Sequence, residues 1–152
     1  MTNTLKLLIV YYSQTGNTEK MARAIEEGAK SVVGIDVEVK YFVRPEDLAE
    51  ADAIILGMPT YYHDIGMDMK NLLEEASKQE INLKGKIGTS FGSYGWSGEA
   101  PNMLLEIMKN QFQMDVVEPA LRIKYNPDKK GLEECHKLGK TIAEKILKTS
   151  LN

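Results

Sequence analysis

Leu5-Lys6-Leu7-Leu8-Ile9-Val10-Tyr11-Tyr12-Ser13-Gln14-Thr15-Gly16-Asn17-Thr18 passes without a break from an apolar run into a loop of hydroxyls, an amide and a glycine. Eight residues of this apolarity, from Leu5 to Tyr12, suit a strand buried on both faces, which is the condition of strands inside a parallel sheet. Past the loop the period changes. From Thr18 to Lys30, Met21, Ala22, Ile25 and Ala29 recur at helical spacing, with Glu19, Lys20, Arg23, Glu26 and Glu27 on the other side. That pattern predicts an amphipathic helix. Strand, short polar loop and helix in this order form the first half of a β-α-β unit.

The same alternation of elements continues outward from that unit. Ile35, Val37, Val39 and Tyr41 alternate with Asp36, Glu38 and Lys40, as an edge strand with one wet face would. Ala53 to Leu56 is a second buried run. Leu121, Ile123 and Tyr125 against Arg122 and Lys124 mark the opposite edge. Helical spacing returns over Met67–Ser77, Pro101–Phe112 and Leu132–Leu147. Alternating units of this length imply right-handed crossovers and a parallel sheet covered on both faces. With the second and last strands at the edges, the expected fold is a doubly wound α/β sheet of five parallel strands in the order 2-1-3-4-5. Its ligand crevice lies beyond the carboxyl ends of strands one and three.

Three loops reach that crevice. Ser13-Gln14-Thr15-Gly16-Asn17-Thr18 leads into a helix start, where free backbone N–H groups and the positive end of the helix dipole can hold a phosphate without a counter-charge. The same residue types also cap helices and make turns, so this loop alone leaves both readings open. The competing phosphate loops are absent: the chain has no Gly-x-x-x-x-Gly-Lys-Ser/Thr and no Gly-x-Gly-x-x-Gly. Gly57-Met58-Pro59-Thr60-Tyr61-Tyr62-His63 comes after the third strand, and Ser90-Phe91-Gly92-Ser93-Tyr94-Gly95-Trp96-Ser97-Gly98 after the fourth. Glycines and aromatics concentrated there would let backbone and rings lie against a flat apolar ligand.

The first loop matches the flavodoxin phosphate signature Ser/Thr-x-Thr-Gly-x-Thr at every fixed position, and the other two resemble the flavin-contacting loops of that family. Phe91 to Gly98 is most similar to the flavodoxin domain of flavodiiron proteins. The resemblance covers essentially the whole chain and implies one flavodoxin-like domain over residues 1–152, with FMN as cofactor. It places Ser13, Gln14, Thr15, Gly16, Asn17 and Thr18 at the phosphate. Pro59, Thr60, Tyr61, Tyr62 and His63, with Ser90, Phe91, Gly92, Ser93, Tyr94, Gly95 and Trp96, would then surround the ring. It implies an electron carrier with no catalytic residue of its own, shuttling electrons between reductases and electron acceptors. Carboxylates near the crevice, Asp64, Asp68 and Glu99, would steer basic partners. A second resemblance, in Tyr11-Tyr12-Ser13, Gly16 and Glu19 to Ala24, is to FMN-dependent NAD(P)H:quinone oxidoreductases of the tryptophan-repressor-binding-protein type. That reading makes the chain an enzyme, but the chain lacks an evident insertion to build a second substrate wall.

Composition agrees with a carrier of this kind. The chain has 152 residues, 43% hydrophobic and 27% charged, with net charge −3. That balance favours neither nucleic acid nor an anionic membrane surface as a partner. No apolar run approaches the ~20 residues of a bilayer span. The single Cys135 cannot make an internal disulfide, so a reducing, cytoplasmic setting is expected, with a monomer or weak dimer. No His/Cys/Asp cluster has metal-ligand spacing. Gly88-Thr89-Ser90-Phe91-Gly92 satisfies the Gly-x-Ser-x-Gly pattern of a hydrolase elbow, with Asp128 and His136 downstream. Such an elbow requires a helix directly after its last glycine, and a Ser-Tyr-Gly-Trp-Ser-Gly loop stands there instead. A receiver domain needs an acidic pair after strand one, where this chain has Tyr12-Ser13.

Overall fold

The computed structural model describes residues 5–12, 16–41, 43–59, 66–95 and 98–150. Strands β1 (Leu5–Tyr11), β2 (Ile35–Lys40), β3 (Ala53–Gly57), β4 (Ile87–Tyr94), β5 (Asp115–Val116) and β6 (Leu121–Lys124) form one sheet. They alternate with helices α1 (Asn17–Lys30), α2 (Pro45–Ala49), α3 (Met67–Lys78), α4 (Glu99–Glu106) and α5 (Lys129–Ser150). The order is β2-β1-β3-β4-β5, every pairing is parallel, and β6 also pairs with β4. This is the expected 2-1-3-4-5 arrangement with one strand more.

The extra strand arises at the far edge, where a single last strand was expected. Ile87 and Gly88 pair with β5, and Phe91 to Tyr94 pair with β6. Between them the Val117 N–H donates to Gly88 O at 2.8 Å and Thr89 Oγ1 donates to Val117 O at 2.8 Å. The edge is therefore one strand position occupied by two short segments. A further difference lies in β4, which the sequence reading ends near Phe91. Pairing with β6 carries the strand on to Tyr94, so Ser90 through Tyr94 are strand and not loop.

Strand alternation divides the core into two layers. Leu8, Val10 and Tyr12 face α3 and α4 through Ile54, Leu56, Met69, Leu73 and Leu104. Leu7, Ile9 and Tyr11 face α1 and α5 through Ile55, Phe91, Met21, Ile25 and Ile142. Successive residues of a strand point to opposite faces, which is why an unbroken apolar run serves both layers. The first helix begins one residue before the expected Thr18. Pro101–Phe112 resolves into the end of α4 and then a π-helical turn, Ile107–Gln111. Helix α2 has no counterpart in the sequence reading; its Pro45 occupies the first turn, and Asp47 Oδ2 accepts from the Arg44 N–H at 2.9 Å. Among the described residues no helix is long and apolar enough to cross a membrane.

Candidate functional site

The carboxyl ends of β1, β3 and β4 lie side by side. The Tyr12 N–H donates to Gly57 O at 3.1 Å and the Met58 N–H donates to Phe91 O at 3.0 Å. A Cβ placed on Gly92 would stand 2.0 Å from Met58 O, so only glycine lets the chain leaving β3 pass this close to β4. The three loops named from the sequence therefore start from one end of the sheet.

Helix α1 opens on this end. Gly16 precedes it at φ 89°, a left-handed conformation that glycine takes without penalty, and nothing stands within 4 Å of where its Cβ would be. The first N–H groups of any α-helix lack intrahelical partners, and Gly16 has no side chain to cap them. The acid of this first turn is turned elsewhere: Glu19 Oε2 accepts from the Tyr11 hydroxyl at 2.9 Å and faces Arg23 Nη2 at 3.9 Å. A helix start thus stands beside open space with the acid of its first turn engaged.

The helix start is tied to β4 through side chains. Thr18 Oγ1 lies 3.0 Å from Ser93 Oγ, both residues being buried, and the Ser93 N–H also points at Thr18 Oγ1 at 3.5 Å. Beyond Ser93, Tyr94 is half-buried, with the Arg122 guanidinium 6.0 Å from its ring centre; Arg122 Nη1 donates to Gly98 O at 3.3 Å. On the β1 side, Tyr41 meets Tyr11 and Tyr12 edge-on at 5.3 and 5.8 Å. Burial, with Asp68 and Tyr41 adding to it, pushes the Tyr12 hydroxyl up to about 12. It stays protonated at neutral pH.

Of the residues named from the sequence, Gly16, Asn17, Thr18, Pro59, Gly92, Ser93, Tyr94 and Gly95 are placed at this end of the sheet. Ser13, Gln14, Thr15, Thr60, Tyr61, Tyr62, His63 and Trp96 lie outside the described residues, as does Asp64. Ser90 and Phe91 are interior residues of β4. Ser90 Oγ donates to Pro101 O at 2.5 Å, and Phe91 fills the α1/α5 layer, its ring tip 2.1 Å from where a Gly57 Cβ would be. Ser90 is wholly buried and so cannot act as an exposed nucleophile, while Asp128 accepts from the Gly131 N–H at the start of α5. Tyr12, Tyr41 and Arg122, which the sequence reading did not name for the crevice, also stand at this end of the sheet. The aromatic ends of the first two strands were the signal for the tyrosines; nothing local marked Arg122.

The flavodoxin family model matches residues 9–139. The chain belongs to the flavodoxin family. It is 38% identical over 148 residues to the "Type A flavoprotein fprA" of Rhodobacter capsulatus, covering 92% of this chain and 33% of that protein. The chain thus spans a third of the length of that relative. It is 31% identical to a flavodoxin of Aquifex aeolicus, covering 91% of this chain and 85% of that one. Among solved structures, an archaeal flavodoxin superposes with a TM-score of 0.84 at 43% identity, covering 93% of this chain and 99% of the other.

With the family comes its cofactor: this chain binds FMN. The described residues fit that cofactor. A phosphate needs N–H donors, and the start of α1 has them, with its first-turn Glu19 engaged by the Tyr11 hydroxyl. The open space at Gly16 leaves room for the phosphate's approach.

Proposed function

We propose that this flavodoxin-family chain is a one-domain electron carrier that shuttles electrons between redox partner proteins and has no substrate site of its own. The observation that carries the reading is the start of α1: a left-handed glycine with open space beside it, its first-turn acid held by Tyr11, and a buried hydroxyl link to the end of β4. When bound, FMN supplies the redox chemistry, and the protein sets its orientation, exposure and potential. The backbone at Gly16, Asn17 and Thr18 would hold the phosphate, together with Ser13, Gln14 and Thr15 of the same loop. The Thr18 hydroxyl is given to Ser93, so the donor Thr18 offers is its backbone N–H. Pro59 to His63, and Gly92 through Trp96, would flank the ring, with Tyr94 presenting a half-buried aromatic face. Such a wall of rings and close backbone disfavours added charge on the ligand it encloses. The lone Cys135 is buried, consistent with work in the reducing cytoplasm.

The test replaces Gly16 with Asp and, separately, with Asn. Both tolerate a left-handed backbone, and they differ only in charge. A carboxylate close to a phosphate costs a few kcal/mol at ~4 Å in a partly screened site. Gly16→Asp is expected to weaken FMN binding at least tenfold beyond Gly16→Asn, while riboflavin, which has no phosphate, should not separate the two variants. Equal FMN affinity in both would remove the phosphate assignment.

A further inference from the structure

The rim of the site beside β6 is cationic in a chain whose net charge is −3. From Arg122 to Lys130 run four cations, Arg122, Lys124, Lys129 and Lys130, against Asp128 alone, whose carboxylate is bonded to the Gly131 N–H. Among the described residues none of the four makes an ion pair, whereas Arg23, Lys30 and Lys145 are each set against a carboxylate. Lys20 adds a fifth cation from the first turn of α1, where its Nζ donates to Asn126 Oδ1 at 2.8 Å. The strip adjoins the site directly. Arg122 stands over Tyr94 and donates to Gly98 O, and the Tyr125 N–H donates to Tyr94 O at 2.6 Å.

Tyr125 is the unusual residue in this strip. It is a bulky side chain at φ 61°, 61% exposed, with Lys124 Nζ 5.3 Å from its ring centre and its ring edge 3.6 Å from where a Gly95 Cβ would be. A non-glycine residue held in a left-handed conformation is strained, and such strain gathers at functional positions. An exposed tyrosine with a lysine over its ring, in a strip of cations without ion pairs next to a redox site, has the make-up of a docking surface with an aromatic anchor.

We infer that the β6 rim, Arg122, Lys124 and Tyr125 with Lys20 and Lys129, docks an acidic redox partner protein. The inference rests on the reading of the site as an FMN site and adds the sign of the partner. Charge complementarity acts mainly on encounter: it raises the association rate by roughly 10–10³-fold at low salt and is lost as ions screen it.

The experiment monitors bleaching of the flavin in the FMN-loaded protein by a reduced plant-type [2Fe–2S] ferredoxin, an acidic carrier, in a stopped-flow mixer. The wild type should react more slowly as NaCl is raised. At low salt the double variant Lys124→Glu, Lys129→Glu, which leaves Arg122 and Tyr94 in place, should lose at least tenfold in rate. Reduced methyl viologen, a small cationic donor, should not lose rate on the variant. A variant as fast as the wild type with ferredoxin, or a wild-type rate that rises with salt, would overturn the docking assignment. FMN titration separates the two levels: failure to take up FMN would strike the reading of the site itself, whereas normal FMN uptake with an unmoved ferredoxin rate would strike only the docking surface.

Discussion

Two hydroxyls 75 residues apart in sequence, on Thr18 and Ser93, meet inside the protein at 3.0 Å and fix the start of α1 against the end of β4. Neither could be paired from the sequence, because a side-chain hydrogen bond across that separation leaves no local pattern. The motif named Thr18 as a candidate for the phosphate. It did not reveal that its hydroxyl is taken. Ser93→Ala should leave the Thr18 hydroxyl buried with a poorer partner and cost about 1–2 kcal/mol of stability, read as a lower urea midpoint at unchanged slope. An unchanged midpoint would mean that the link contributes nothing. Ser90 and Phe91 teach the complementary lesson. Ser90-Phe91-Gly92-Ser93-Tyr94 reads as loop by its glycine and serines, yet it is strand, because Phe91 to Tyr94 pair with Leu121–Lys124, a contact no local window contains.

At the scale of elements, the legible parts are those with strong periodicity. The unbroken apolar run of β1, the alternation of β2 and the helical spacing of α1, α3 and α5 all report burial on known faces. Helix α2 was missed because five residues are too few to show a period, although Pro45 and Asp47 are an ordinary helix start. The split far edge was missed because β5 is only two residues long. Helix contact was equally silent in sequence: α1 and α5 cross with Gly28 and Gly139 at the seam, where added Cβ atoms would stand 1.8 Å from His136 O and 1.9 Å from Ile25 O. On an exposed helix face Gly→Ala gains up to about 1 kcal/mol. Here overpacking against backbone, at about 1–3 kcal/mol, outweighs that gain. Gly28→Ala is therefore expected to lower the thermal midpoint by several degrees, and a stabilised variant would show that the helices separate without cost.

For the whole molecule, two buried acids set the alkaline limit of stability. Burial, with Glu134 adding to it, pushes the Cys135 thiol from 9.0 up to about 12, as burial does the Tyr12 hydroxyl from 10.0. Each is held neutral in the fold and ionises more readily when unfolded, so the fold keeps its full stability below pH 9 and loses it as pH rises toward 12. The slope approaches about 1.4 kcal/mol per pH unit for each proton involved. Urea melts at pH 8, 9 and 10 should fall for the wild type, and Cys135→Ala should flatten the step between 9 and 10. A flat wild-type profile would place these groups in water.

On the proposed function, the crevice holds FMN for a carrier and leaves reduction to a separate protein. Absorbance of the purified protein, reconstituted with FMN if needed and titrated without oxygen first with NADPH and then with dithionite, tests it most directly. A flavin spectrum that NADPH leaves intact and dithionite bleaches is expected. Direct bleaching by NADPH would contradict the carrier reading, and a protein that FMN cannot colour would contradict the site.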